Sequence, residues 1–437
     1  MSINLSSIRK LHFIGIGGIG ISAIARLFIR EGRAVSGSDR NVDSPVMKEL
    51  KKLGAKIYRG HKTGQVPADV GLVVYTTAVG PDNPEWAESK RRGLLMFSYP
   101  EMLGQITADK YTIAVAGTHG KTTTTAMLAD ILVTGKLDPT VIVGSLLKPK
   151  NKKASPTNLI IGRSGFFVVE ACEYKRAFLN LLPKILVITN IDNDHLDYYR
   201  DLADIQSAFA ELAAKLPADG YLICDKQDPR LKPVLLNTRC LTVDYRQFDS
   251  QANKLKLRVL GVHNRLNAAA ALAVAKVLEI SPSISHQALE KFRGTWRRLE
   301  YLGRTKTGAR LYDDYGHHPT EIRATLTAIR HDLNPKRLIV VFQPHLYSRT
   351  KLLFKDFAAS FADADEILVL PIYAAREPKD KTISSQKLAA AIPRGTYVPN
   401  MATAAKRLLK TTGPKDLILT LGAGDVFVLG EKLRYNR

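Results

Sequence analysis

Two hydrophobic periods alternate along this chain. Short runs rich in β-branched and aliphatic residues mark buried strands, and between them apolar residues return every three or four positions, as on one face of a helix. The first run, Leu11-His-Phe-Ile14, precedes helical spacing through Ile21, Ile24, Ala25 and Phe28 that stops near Gly32. Strands are predicted next at Ala34-Val-Ser36 and Leu72–Thr76, and the pattern lapses near Gly104-Gln105. Tyr111–Ala116 reads as a strand leading to a helix over Ala126–Val133. Further strands are predicted at Val141–Leu147, Phe166–Cys172, Ile185–Ile191, Tyr221–Cys224 and Leu255–Val262. Lys148–Ser155, rich in Lys, Pro and Asn, reads as an exposed loop, and Ala268–Leu278 as a long alanine-rich helix.

After Trp296 the alternation starts afresh. Predicted strands at Arg310–Tyr312, Leu338–Phe342, Ile367–Leu370 and Leu417–Leu421 alternate with helices over Thr320–Ile329, Lys351–Phe361 and Met401–Leu409. Regular alternation of this kind predicts an α/β protein with mostly parallel sheets. The lapses in pattern divide it into three domains, residues 1–106, 107–294 and 295–437.

Composition narrows the partners. With 437 residues, 45% hydrophobic and 24% charged, the chain has apolar material for a core in each domain. Its net charge of +23, from 64 Lys+Arg against 41 Asp+Glu, favours anionic partners. The basic residues are spread out, with no dense block interleaved with aromatics, so phosphorylated small molecules are expected and a nucleic-acid site is not. Cys172, Cys224 and Cys240 form no C-x-x-C pair, which excludes a disulfide framework or structural zinc site and fits a reducing cytoplasm. No apolar run reaches the roughly 18 residues of a membrane span. Arg9-Lys10 followed by Leu11–Ala25 superficially resembles a leader peptide, but the regular glycines inside that run give it another meaning. A cytoplasmic monomer or homodimer is expected.

The chemistry is concentrated at strand ends. Ala116-Gly117-Thr118-His119-Gly120-Lys121-Thr122-Thr123-Thr124 joins a strand to a helix. In that context a glycine loop ending in Gly-Lys-Thr is a P-loop: backbone N–H groups cradle phosphates, Lys121 reaches the terminal phosphates and the Thr122 hydroxyl ligates Mg²⁺. The general pattern wants glycine at 115, where this chain has valine. Upstream, Gly15-Ile-Gly17-Gly18-Ile-Gly20 follows a strand and opens a helix, and Ser38-Asp39 ends the next strand. That is the register of a Rossmann-like unit holding a diphosphate. A third strand end offers Thr76-Thr77, and the central domain offers Glu170-Ala-Cys-Glu173 and Asp194-His195. Glu173 suits Mg²⁺, and His195 a second metal; the plainer alternative makes them a surface acid and a cap. His317-His318 suits polar recognition or proton transfer better than zinc, and His345 with Arg349 could hold a carboxylate.

Taken together these stretches resemble the Mur ligases, through His12–Gly20, Ser36–Asp39, Ala114–Thr125, Thr189-Asn-Ile with Asp194-His195, His263-Asn264 with Asn267, Arg297-Arg298, Asp313–Glu321, Phe342–His345 and Gly422-Ala-Gly424. The resemblance runs in order through the whole chain. It implies three domains, Rossmann-like, P-loop ATPase and Rossmann-like, that bind UDP-N-acetylmuramate, ATP and an amino acid in turn. By that resemblance Gly15, Gly17, Gly18, Gly20, Ser38, Asp39, Thr76 and Thr77 hold the UDP-sugar. Gly117, Thr118, His119, Gly120, Lys121, Thr122, Thr123, Asn264, Asn267, Arg298 and Asp314 hold ATP. Thr122, Glu173 and His195 hold Mg²⁺, and Tyr315, His317, His345 and Arg349 receive the amino acid. Lys121, Glu173, His195 and His317 are the expected catalytic residues. The implied reaction joins L-alanine to the lactoyl carboxylate of UDP-N-acetylmuramate through an acyl phosphate, the first peptide step of peptidoglycan precursor synthesis.

Two departures leave the amine open. Cys172-Glu173-Tyr174 is similar to the branch that attaches a whole tripeptide, and Leu346 stands where an arginine is usual. Tyr315-Gly-His-His318 and the His345…Arg349 pair resemble the L-alanine branch. Two further classes stand against the ligase: a nicotinamide oxidoreductase, which leaves the P-loop unused, and a catalytically silent nucleotide-binding partner of cell-wall assembly, which leaves Lys121 and Glu173 unused.

Overall fold

The computed structural model describes residues 5–148, 155–375 and 377–435. Three sheets follow one another along the chain. The first has five parallel strands in the order Lys56–Arg59, Ala34–Asp39, Lys10–Ile14, Leu72–Tyr75, Met96–Ser98. Its inner strands are apolar runs buried on both faces, which is why they carry no alternation. The chain winds one way from Lys10–Ile14 and then returns to add Leu72–Tyr75 on the other side. The crevice at that reversal, outside the carboxyl ends, is where such sheets bind ligands.

The second sheet has seven strands, ordered Leu241–Asp244, Tyr221–Cys224, Ile185–Ile188, Tyr111–Ala116, Phe166–Glu170, Thr140–Leu147, Thr157–Ile160. All pairings are parallel except the last, where Thr140–Leu147 and Thr157–Ile160 form an antiparallel pair. Tyr111–Ala116 lies in the middle at the winding reversal, so the loop after it opens into a crevice. The third sheet runs Glu300–Arg304, Arg310–Asp314, Asp416–Leu421, Arg337–Phe342, Glu366–Val369, Gly395–Tyr397, with only Glu300–Arg304 antiparallel.

Two expectations change, and a third falls mostly outside the described residues. Leu255–Val262 is no strand: irregular chain follows the Asp249–Lys254 helix, and the Val262–Val277 helix begins directly after Gly261. Leu255, Leu257 and Val259 pack against the central core without a sheet neighbour, and burial of alternate residues gives the same pattern as an edge strand. The helix expected over Lys351–Phe361 splits into Tyr347–Leu352 and Phe354–Ala358 at Leu353. Of the loop expected at Lys148–Ser155, residues 149–154 lie outside the described residues; Lys148 and Ser155 have no regular structure.

The core is not divided evenly. One apolar cluster runs from Phe13, Met102 and Leu103 of the first sheet's layer into Phe167, Phe178 and Phe209 of the second. The buried clusters of the third sheet begin only at Ala309. The linker between them pairs with the central hairpin, Trp296 donating to Leu146 O at 2.9 Å.

Candidate active site

The loop after the central strand is bent by two glycines. Gly117 has φ +127° and Gly120 φ +87°, both left-handed-side conformations that favour glycine. A Cβ at Gly117 would fall 2.0 Å from Thr189 Oγ1, and one at Gly120 2.4 Å from Asn267 Oδ1. The loop is braced by the next strand's end: Thr118 N–H donates to Asn190 O at 3.0 Å and His119 N–H to Asn190 Oδ1 at 2.9 Å. Lys121 opens the Lys121–Thr134 helix, folds back on Gly117 O (2.6 Å) and Thr118 O (3.0 Å), and meets Glu173 Oε1 at 2.9 Å. Burial opposes its charge, but the carboxylates of Glu173 and Glu170 outweigh it and raise its pKa.

A cavity of about 350 Å³ lies between this loop and the third domain. Eight of the expected ATP residues line it: His119, Gly120, Thr122, Thr123, Asn264, Asn267, Arg298 and Asp314. Asn264 and Asn267 share one face of the Val262–Val277 helix, and Asn267 donates to Asn264 Oδ1 at 3.1 Å. Asp314 ends a strand of the third sheet and accepts from Leu299 N–H (2.6 Å) and Gly316 N–H (2.7 Å). Burial pushes its pKa up to about 6 despite Arg298 nearby. Gly117, Thr118 and Lys121 lie in the same loop, outside the cavity wall.

Thr122 and Glu173, expected on one metal, have different partners. The Thr122 hydroxyl donates to Glu170 Oε1 at 2.9 Å, and Glu170 Oε2 accepts from Gly144 N–H at 2.7 Å. Glu173 stands further on, between Lys121 and His195, whose Nε2 lies 3.8 Å from Glu173 Oε1. Glu173 Oε2 is buried and has no hydrogen-bond partner among the described residues. A buried carboxylate oxygen without a partner and facing an imidazole can accept a divalent cation, and the Thr122–Glu170 pair supplies further oxygen donors on the same side of the loop. His119, Asp192 and His318 also converge, their polar atoms within 4.8 Å of one another. His318 spends both nitrogens elsewhere, Nε2 on Asn193 O (2.8 Å) and Nδ1 on Thr320 N–H (3.3 Å), so this set is a polar network.

The expected amino-acid residues form one chain of contacts. The rings of Tyr315 and His317 are 5.3 Å apart, those of His317 and His345 5.9 Å, and Arg349 Nη1 is 3.3 Å from His345 Nδ1. Burial lowers the His317 pKa to about 3, so the ring is neutral and a weak proton acceptor. The expected UDP-sugar residues meet at the carboxyl ends of the first sheet. Gly17 N–H donates to Asp39 Oδ2 at 2.9 Å, and a Cβ on Gly15 would fall 2.4 Å from Thr76 Cγ2. Gly18 caps the Ile19–Arg30 helix, which contains Gly20; Ser38 lies at the end of its strand and Thr77 follows Thr76. Tyr99 joins this place to the central sheet, packing on Gly20 and lying in the field of Glu170.

Comparison with known proteins gives the family. Residues 10–111 match the description "Mur ligase family, catalytic domain", 115–249 "Mur ligase middle domain" and 297–424 "Mur ligase, glutamate ligase domain". The chain belongs to the Mur ligase family. Among Mur ligases it is 41% identical to the UDP-N-acetylmuramate–L-alanine ligase of Clostridium kluyveri, over 99% of each chain. The enzyme of that name from Clostridium beijerinckii is 40% identical over 97% of each. The UDP-N-acetylmuramate-alanine ligase of Thermotoga maritima superposes with a TM-score of 0.78 at 27% identity, covering 97% of this chain and 98% of that one. A murein peptide ligase from Psychrobacter arcticus shares the fold, with a TM-score of 0.72 at 24% identity, covering 97% and 98%.

Several residues of this Mur ligase site escaped sequence reasoning. Glu170, directly after a buried valine pair, was visible as a strand-end acid but has no motif that separates it from Glu173. Glu321 contacts His119, Arg298 and His317 at 3.4, 3.7 and 3.5 Å, yet in sequence it is an ordinary first-turn helix acid. Glu85 is wholly buried against Ser38, His12 and His61, and in sequence it is a residue of an Asn-Pro-Glu helix start.

Proposed function

We propose that this protein is an ATP-dependent ligase that joins L-alanine to the lactoyl carboxylate of UDP-N-acetylmuramate, in the peptidoglycan precursor pathway. The observation that carries this reading is the cavity enclosed jointly by the P-loop and the third domain, with a Lys121–Glu173 pair at its edge and an imidazole–guanidinium cluster beyond it. Full-length identity of 41% to a ligase of that name supports the same substrates.

The chemistry follows from charge. The lactoyl carboxylate attacks the γ-phosphorus of ATP, the bond to the bridging oxygen breaks, and ADP leaves an acyl phosphate. The amine of alanine then attacks the acyl carbon, loses a proton, and inorganic phosphate departs as the amide forms. The obstacle is the approach of one anion to another, which fixed cations offset. Lys121 leaves the loop carbonyls for the phosphates, and backbone N–H groups of Gly117–Thr123 cradle them. Thr122, Glu173 and His195, with Glu170 beside Thr122, would hold Mg²⁺, which would supply further positive charge. Arg349 faces the alanine carboxylate, and His345 and Tyr315 border it. The His317 ring, kept neutral, orients the amine instead of removing its proton. The reaction belongs in the cytoplasm, where both nucleotides are available; no helix among the described residues is long and apolar enough to cross a membrane.

Phosphate release from ATP tests this directly, measured with UDP-N-acetylmuramate, Mg²⁺ and each amine in turn. Release that needs both UDP-N-acetylmuramate and L-alanine is expected. Turnover with the tripeptide and none with L-alanine would replace the amine in this reading and leave the fold untouched.

A further inference from the structure

The loop between the central strand Ile185–Ile188 and the helix Leu202–Ala213 is held from two sides. The P-loop grips its start: Asn190 O and Oδ1 accept from Thr118 and His119, and Asp192 N–H donates to Thr118 Oγ1 at 2.8 Å. The third domain grips the next three residues, one side chain to each. Thr320 donates to Asp192 Oδ2 at 2.9 Å, His318 meets Asn193 O at 2.8 Å, and Arg349 pairs with Asp194 Oδ1 at 3.0 Å. The residue after this clasp is His195, forced to φ +54° and facing Glu173.

The last of these contacts stands apart. Arg349 is 8% and Asp194 10% exposed at the side chain, so their charges meet across a domain junction away from water. Burying such a pair is costly unless the geometry is held, and breaking it by removing one partner strands the other charge. Arg349 was expected to serve a substrate carboxylate, and here a protein carboxylate already fixes one of its amino groups. The other leans on His345. A guanidinium tied at both ends presents its remaining N–H groups in one direction.

We infer that Asp194 is a positioning residue for the amino-acid subsite: reaching across from the central domain, it aims Arg349 at the incoming carboxylate when the third domain is closed. This rests on the placement of the amino acid at Arg349. Because Asp194 also caps the backbone N–H of His195 at 2.7 Å, the same loop ties that subsite to the Glu173 side of the nucleotide. Amino-acid capture and completion of the phosphoryl-transfer site then depend on one domain closure, as when substrate-driven closure completes a catalytic constellation.

The test is a kinetic cycle over Asp194→Asn, Arg349→Lys and the double variant, read as KM for whichever amine supports turnover in the wild type. Each single variant is expected to raise that KM roughly ten- to hundredfold, the range for losing one charge-assisted hydrogen bond that orients a binding group. The double variant is expected to be no worse than the poorer single one, because both changes break the same pair. Equilibrium binding of a non-hydrolysable ATP analogue, without amine, is expected to stay within twofold. A purely structural role for Asp194 would lower analogue binding and kcat together and leave the amine KM alone. That result, or additive effects in the double variant, overturns the inference. Should Asp194→Asn fail to fold, Asp194→Glu takes its place, since an unchanged amine KM there is equally fatal. A wild type that turns over with another amine removes the L-alanine reading without touching this one.

Discussion

At the scale of single residues, charge placement does the chemistry. His119 illustrates it: a P-loop side chain with Asp192 3.3 Å from one ring nitrogen and Glu321 3.4 Å from the other. Burial disfavours the imidazolium, but the two carboxylates outweigh it and raise the pKa to about 9. A group whose folded pKa is raised contributes stability that is complete below its unfolded value, about 6.5, and is lost as pH climbs through about 9. A rise of that size corresponds to on the order of 3 kcal/mol. Urea unfolding between pH 6 and 9.5 is therefore expected to show falling stability across that window, and His119→Gln to flatten the slope. An unchanged slope in the variant would mean that His119 is neutral in the folded protein.

At the scale of elements, the nucleotide loop owes its shape to two glycines, and Val115 explains itself. Val115 is the fifth residue of the central strand, wholly buried and paired with Val187 and Glu170, so the bend begins only at Gly117. Gly117→Ala places a methyl group against Thr189 Oγ1 and within 3.0 Å of its backbone nitrogen, at a φ of +127°. Backbone cannot yield as a side-chain tip can, so a loss of about 1–3 kcal/mol in stability is expected. At least tenfold weaker binding of an ATP analogue should accompany it, measurable by calorimetry; wild-type binding would show that the loop has another route to its bend. Such elements were legible because strand, glycine bend and helix are adjacent in sequence. What escaped is what only the fold brings together. The antiparallel strand Thr157–Ile160 has no run of its own to announce it, and Leu255–Val262 copies a strand's alternation by packing against a core without pairing. Among the expected site residues, Lys121 and Glu173, taken from a motif and from the acids after a buried strand, do meet, at 2.9 Å. Glu321 and Glu85 look like commonplace helix-start acids until their partners arrive from other elements.

At the scale of the whole molecule, the two domain junctions are built differently. The third domain meets the centre largely through hydrogen bonds and ion pairs around a cavity, contacts that water can replace if the junction opens. The first domain shares an apolar cluster with the centre, which water cannot replace cheaply. A buried polar latch reinforces it. Arg26, 4% exposed, donates to Thr157 Oγ1 at 3.1 Å and to Asn158 Oδ1, and Asn158 in turn donates to Ile19 O at 2.6 Å. Ile19 begins the helix whose start is proposed to cradle the UDP-sugar, so the latch ties that helix start to the central domain. Arg26→Met keeps most of the apolar stem but leaves the Asn158 oxygen buried and unpaired, at a cost of about 1–3 kcal/mol. If the latch orients the cradle, KM for UDP-N-acetylmuramate rises severalfold while binding of an ATP analogue alone is unchanged. If the shared apolar core orients it, stability falls and both binding constants stay. Hinge motion is then confined to the third domain, and hydrogen exchange on adding nucleotide should slow at 190–196 and at the third-domain residues that grip it, with the Arg26–Asn158 junction protected throughout.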